Sequence, residues 1–175
     1  PKPSSPSMYT NVLVIDFGGS SVRAGIASKV PTLPQLFFPA VMAVAHDNED
    51  EKYFGLDAFA SEVRSRCQLR HPMIPSRTVD KFSIDPIALQ GIMEKIFKDL
   101  GLDHPGDYEV QLSAPRPFGD RAKCTIAGLL FEEFGVKAVN MAHQSVFAMY
   151  AYNSSNNSGV VVDLGERMDV VPIVD

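Results

Sequence analysis

Apolar residues fall along this chain in short runs separated by acidic, glycine-rich and proline-rich breaks, and the spacing inside each run predicts its element. Tyr9 to Phe17 reads as a buried strand, and Ser21 to Ala27 alternates well enough to pair with it. Leu36 to Val44 is expected as a third strand, with Pro39 marking an edge or a bulge. His46 to Lys52 reads as an acidic turn, and Leu56 to Cys67 has helical spacing. Arg70 to Ser83, which holds Pro72 and Pro75, is expected to be irregular. Asp85-Pro86 opens a helix with Asp as its cap and Pro at its first position; Ile87, Ile92, Ile96 and Leu100 follow, and Gly101 closes it. Then come a strand over Tyr108 to Ala114, a helix over Gly119 to Phe134, a short strand over Val136 to Met141 and a helix over Ala142 to Tyr152. After a polar loop at 154–159, a final apolar pair of strands runs to Ile173.

The order is a three-strand meander, an insertion with a helix, β-α-β-α, and then β-β again. It predicts an α/β fold: a ribonuclease-H-like mixed sheet with helices on both faces and a small inserted subdomain at about 42–70. Residues 1–8 read as a flexible leader, 9–158 as one lobe, and 159–175 as the first hairpin of a second lobe. Both ends read as cut from a longer protein.

The chemistry concentrates at the two hairpins. In the first, an apolar strand stops at Asp16-Phe17-Gly18-Gly19, turns through Ser20-Ser21 and returns past Arg23. In the second, Val160 to Asp163 stops at Leu164-Gly165-Glu166-Arg167 and returns through Met168 to Ile173. Glycines at such turns let several backbone N–H groups approach one phosphate, which a Cβ would block. Asp16 and Asp163 at the strand ends suit the water shell of magnesium, which takes one or two carboxylates plus phosphates. Arg23 offers a fork of fixed charge to a phosphate. A single such turn is equally an ordinary glycine hairpin; two in matching contexts point to a metal-bound triphosphate. Gln144 sits early on the helix that starts at Ala142 and is either a surface or capping residue or part of the site. Glu166 is either an acceptor of a water proton or an ion-pair partner of Arg167.

Composition narrows the class. The 175 residues carry a net charge of −5 with 45% hydrophobic content, which suits a cored lobe and argues against nucleic-acid binding through bulk charge. The densest basic group, Arg64, Arg66 and Arg70, reads as a solvated face. Cys67 and Cys124 match no metal-ligand spacing, so a reducing compartment is expected, the cytoplasm or the nucleus. No run is long and apolar enough to span a bilayer as a helix, so no membrane partner is expected.

The residues resemble the actin and actin-related proteins. Val14 to Ala27 is similar to that family's first phosphate loop, and Val161 to Glu166 followed by Pro172-Ile173 to its second. Phe38-Pro39, Phe54 to Ala58, His71-Pro72, Met93 to Phe97, Leu112 to Pro115, Phe131 to Phe134 and Asn140 to Ala151 follow in the family's order. The resemblance implies the first half of an actin-like protein, with its second lobe missing, that binds ATP or ADP with magnesium between two lobes. It places Asp16 and Asp163 on the metal through water. Gly18, Gly19, Ser20, Ser21, Arg23, Gly165 and Glu166 fall on the nucleotide, and Gln144 near the attacking water.

The departures are specific. Phe17 replaces a polar residue, Gly19-Ser20 inverts Ser-Gly, and Arg23 replaces a lysine. Arg167 replaces a glycine, where it either obstructs a phosphate or neutralises it. The family's histidine near the water has no counterpart, Met168-Asp169-Val170 holding that region, and the outer loop at 44–53 is short. These imply a divergent actin-related protein with weak or absent hydrolysis, working within a multi-subunit assembly. The alternative is a nucleotide-free pseudo-ATPase lobe used for protein interaction, which Phe17, Arg167 and the missing histidine favour. A sugar-kinase-like phosphotransferase would need a catalytic Asp and a sugar pocket, and neither is evident.

Overall fold

A computed structural model describes residues 11–76, 82–115, 118–152, 158–165 and 168–174. The expected leader over 1–8, and Glu166 and Arg167 of the second hairpin, lie outside the described residues.

The chain begins with β1 (Val12–Phe17), β2 (Ser21–Ile26) and β3 (Leu36–Pro39). The expected third strand over 36–44 is two strands in two different sheets. Pro39 has no N–H for the ladder, and the Val41 N–H closes a tight turn onto the Pro39 carbonyl at 2.8 Å. The chain then restarts as β4 (Met42–Ala45), which β5 (Lys52–Phe54) and β6 (Cys67–Arg70) flank in a three-stranded sheet. Between these strands the expected helix over 56–67 is reduced to a 3₁₀ turn (Gly55–Phe59) and the four-residue α1 (Ser61–Arg64). Ala60 is extended, which breaks the helix, and Cys67 already pairs with Ala45. Val41, Ala43, Ala45, Ala58, Val63 and Cys67 form this sheet's own buried cluster.

The stretch expected to be irregular carries a short hairpin, β7 (Met73–Pro75) with β8 (Phe82–Ile84). Next is α2 (Pro86–Asp99), capped as the sequence predicts: Asp85 Oδ1 accepts from the N–H groups of Ile87 and Ala88 at 3.0 and 3.2 Å. Gly101 ends it at φ +67°, where the Leu102 N–H reaches the Phe97 carbonyl and the Gly101 N–H reaches Lys98. Then come β9 (Glu109–Ala114), α3 (Asp120–Gly128) with a π-turn over Leu129–Glu133, β10 (Ala138–His143), α4 (Gln144–Ala151), and the hairpin β11 (Gly159–Leu164) with β12 (Met168–Ile173).

The larger sheet has the order β10-β9-β1-β2-β3, with β1, β9 and β10 parallel and β2 and β3 antiparallel. This is the mixed ribonuclease-H-like layout. Leu13, Ile15 and Phe17 point to one face and are buried with Leu89, Ile92 and Ile96 of α2, Ile126 of α3 and Leu130 of the π-turn. The alternate residues Val14 and Asp16 point to the other face, where α4 begins. Among the described residues no helix is long and apolar enough to cross a membrane.

The basic group does not form one solvated face. Arg70 Nε bonds Asp85 Oδ2 at 2.8 Å, and Arg66 Nη1 bonds Glu51 Oε1 at 2.7 Å. The acidic turn between β4 and β5 is tied down by that second pair and by the Tyr53 hydroxyl, which donates to Glu51 and receives Arg66 Nη2 at 2.5 Å. The Tyr53 hydroxyl first, with Arg66 adding to it, holds the Glu51 carboxyl below its ordinary value of 4.5. A lowered folded value contributes stability above the unfolded value, and that contribution is lost as pH falls through the folded one. Tyr53→Phe removes the largest cause. The Glu51 titration, followed by NMR, is expected to move up toward the ordinary value, and an unmoved titration would discard this assignment.

Candidate nucleotide cleft

The first hairpin turns because Gly18 permits it. Its N–H donates to the Ser21 carbonyl at 3.0 Å, and a Cβ on Gly18 would stand 3.0 Å from that same oxygen. Gly18 therefore closes the turn rather than offering its N–H outward. The N–H groups of Gly19 and Ser20, at the tip, donate to no group among the described residues. They are the amides a phosphate oxygen could use.

Asp16, one residue before the end of β1, has both oxygens engaged. Arg23 Nη1 donates to Oδ2 at 3.0 Å, while Ser113 Oγ and Gln144 Nε2 donate to Oδ1 at 2.5 and 3.0 Å. Sheet register explains the meeting. Asp16 stands opposite Arg23 on β2 and opposite Ser113 on β9, so the three share one face. His143 is still in β10, paired with Ala114, so α4 starts two residues later than the sequence suggests and Gln144 is its first residue. That places the amide at the same strand-end level as Asp16.

Phe17, one residue on, faces away from all of this. It is 1% exposed and belongs to the main core. Its apolar character, counted from sequence as a sign of a dead site, is a core requirement and says nothing about the cleft.

A cleft of about 690 Å³ opens beside this group. Its walls include Asp16, Gly18, Gly19, Ser20, Ser21 and Arg23 from the first hairpin, Gln144 and Ser145 from α4, and Asp163, Gly165 and Asp169 from the second. The sequence-derived residues thus border one space, except Glu166, which lies outside the described residues. Asp163 pairs directly with Asp169 across the second hairpin, so two carboxylates share one face of it. Like charges directly opposite repel, which makes this wall receptive to a cation. Among the described residues, no three His, Cys, Asp or Glu side chains converge as a protein-only metal site.

Two residues of this arrangement escaped sequence reasoning. Ser113 is 6% exposed, and its only local sign is the polar alternation Glu109, Gln111, Ser113 along β9. Asp169 is a lone charge in an apolar strand, a signal that could have marked it.

Comparison with known proteins agrees with this architecture. The family model described as Actin matches residues 7–175. An actin-like protein of Neurospora crassa is 31% identical over 176 residues, covering 95% of this chain and 43% of that protein. Actin-like protein 7A of Rattus norvegicus is 29% identical, with 95% and 37% covered, and actin-related protein 2 of Acanthamoeba castellanii is 26% identical, with 95% and 42% covered. The chain thus spans about two-fifths of the length of these relatives. With a family match over nearly all of its length and the mixed sheet of a first actin lobe, the chain belongs to the actin family.

Proposed function

We propose that the cleft binds an adenine nucleotide, ATP or ADP, with slow or absent hydrolysis, and that the protein acts as a structural or conformational component of a larger assembly. The observation that carries the reading is that Gly18 to Ser20 of the first Asp-x-Gly hairpin and Asp163 to Gly165 of the second wall one cleft. Its volume lies within the range of about 300–1,000 Å³ usual for small-molecule sites. Two amides at the first tip, which donate to no group among the described residues, would supply phosphate donors without a Cβ at Gly19.

Magnesium fits through Asp163 and Asp169, whose paired carboxylates would hold its waters while phosphates complete the shell. The ion would supply charge neutralisation for the polyphosphate. Phosphoryl transfer depends on positioning and charge stabilisation. Gln144, expected near the attacking water, spends an amide hydrogen on Asp16, and the second hairpin has no histidine between Met168 and Ile173. Both points favour slow turnover. The outer turn at 46–51 is short and bound back through Glu51 to Arg66, which favours a role other than conventional self-assembly.

Nucleotide binding by the full-length protein tests the reading, with Ser20→Asp as the variant. Ser20 is exposed at the turn tip, so the fold is expected to persist. A carboxylate beside the phosphates opposes charge-assisted contacts and is expected to weaken binding about tenfold or more. Equal binding by both proteins would move the ligand away from this hairpin. No binding by the parent protein at millimolar nucleotide would favour the second reading, a nucleotide-free interaction lobe. That reading draws on Asp16 being satisfied by its own chain and on the described residues leaving no buried side-chain polar atom unpaired.

A further inference from the structure

The sheet register puts an arginine where a nucleotide site wants a cation. Phe37, Arg23, Asp16 and Ser113 stand side by side across β3, β2, β1 and β9. The Arg23 guanidinium lies 5.0 Å over the Phe37 ring and donates to Asp16 Oδ2 at 3.0 Å. A neighbour on each flanking strand thus fixes its position. The opposite oxygen, Oδ1, is filled by Ser113 and Gln144.

A carboxylate offers about four lone-pair sites, and three on Asp16 are taken. A hydrated divalent cation approaching Asp16 needs acceptors for its water molecules. It meets instead a guanidinium that never loses its charge and stacks on an aromatic face. Arginine and hydrated metal compete for the same carboxylate edge. The phosphates, for their part, need the negative charge of Asp16 cancelled by one or the other.

Resting on the nucleotide reading above, we propose that Arg23 is the resident counter-ion of this cleft: it holds Asp16 in place of a hydrated divalent cation, and nucleotide binding is only weakly dependent on that cation. Magnesium then acts on the opposite wall, at Asp163 and Asp169, as a secondary aid rather than a requirement.

The pair is partly exposed, at 47% for the Arg23 side chain and 33% for Asp16, so it adds little to stability and its loss leaves the fold in place. The test measures ATP affinity of the full-length protein by calorimetry, in excess magnesium and in EDTA. For the parent protein the two affinities are expected to lie within about tenfold, the scale of one charge-assisted contact. In Arg23→Gln, Asp16 faces the phosphates uncancelled in EDTA, whereas magnesium can fill the vacated edge. The ratio of the two affinities is expected to grow by about tenfold or more. Arg23→Lys keeps the charge without the stacked fork and is expected to fall between. If the parent protein binds ATP only with magnesium and Arg23→Gln leaves the ratio unchanged, the counter-ion role is overturned while the nucleotide reading stands. If the parent protein binds ATP in neither condition, both fall.

Discussion

Phe17→Ala is expected to lower the unfolding free energy by about 3–5 kcal/mol, the usual cost of emptying a buried phenylalanine site. Phe17 follows Asp16 directly, at a position where the family resemblance anticipates a polar side chain at a phosphate loop. Strand alternation sends the two side chains to opposite faces. Phe17 is 1% exposed and buried with Leu13, Ile15 and Val22 in the main core, which the helices α2 and α3 cover. Truncation removes the ring and leaves a cavity that its neighbours in β1 and β2 fill only in part. Denaturant unfolding measures the loss. A cost below about 1 kcal/mol would mean that the ring faces the cleft after all, and Phe17 would again count toward a nucleotide-free lobe. Nucleotide affinity at concentrations where the variant is folded is expected to stay near that of the parent protein.

Asp85→Ala is expected to cost about 2–3 kcal/mol, from the lost helix cap and the unpaired arginine it leaves behind. One carboxylate serves two masters here. Its Oδ1 holds the first two free N–H groups of α2, and its Oδ2 receives Arg70 Nε at 2.8 Å from the small sheet. The Asp85 side chain is 10% exposed and that of Arg70 30%, so solvent screens the pair only in part. Asp85→Asn separates the two roles, since asparagine caps as well as aspartate but carries no charge. It is expected to cost less than half as much in thermal or denaturant unfolding. Equal losses for both variants would assign the effect to the ion pair alone. Because α2 also packs against β4 and β5, where Met42 and Phe54 lie against Gly91, weakening its first turn loosens the joint between the two sheets.

Membership of the actin family follows from a match along nearly the whole chain, and the first-lobe sheet agrees with it. In the site, the Asp16 carboxylate meets an arginine, a serine and a glutamine, all supplied by its own chain. Because Arg23, Ser113 and Gln144 all hold Asp16, magnesium dependence, rather than affinity alone, is the informative measurement.

Local chemistry was legible in the sequence wherever a few neighbouring residues decide the outcome. Asp85-Pro86 and Gly101 set the ends of α2, and Gly18 with Ser21 sets the first turn, because caps and tight turns involve atoms within four or five residues. The parting of Asp16 and Phe17 became plain only with the fold, which buries Phe17 in the main core. The failures share one cause. The split of 36–44 into two strands, the early end of the helix at Ala60 and the pairing of β7 with β8 are choices between competing partners. So is the row that makes the cleft: Ser113 reaches Asp16 across 97 positions and Gln144 across 128. No spacing along the chain encodes such meetings. They come from strand register, which hydrophobic burial on the far face of the sheet selects, and only the folded arrangement decides that Arg23 stands opposite Asp16.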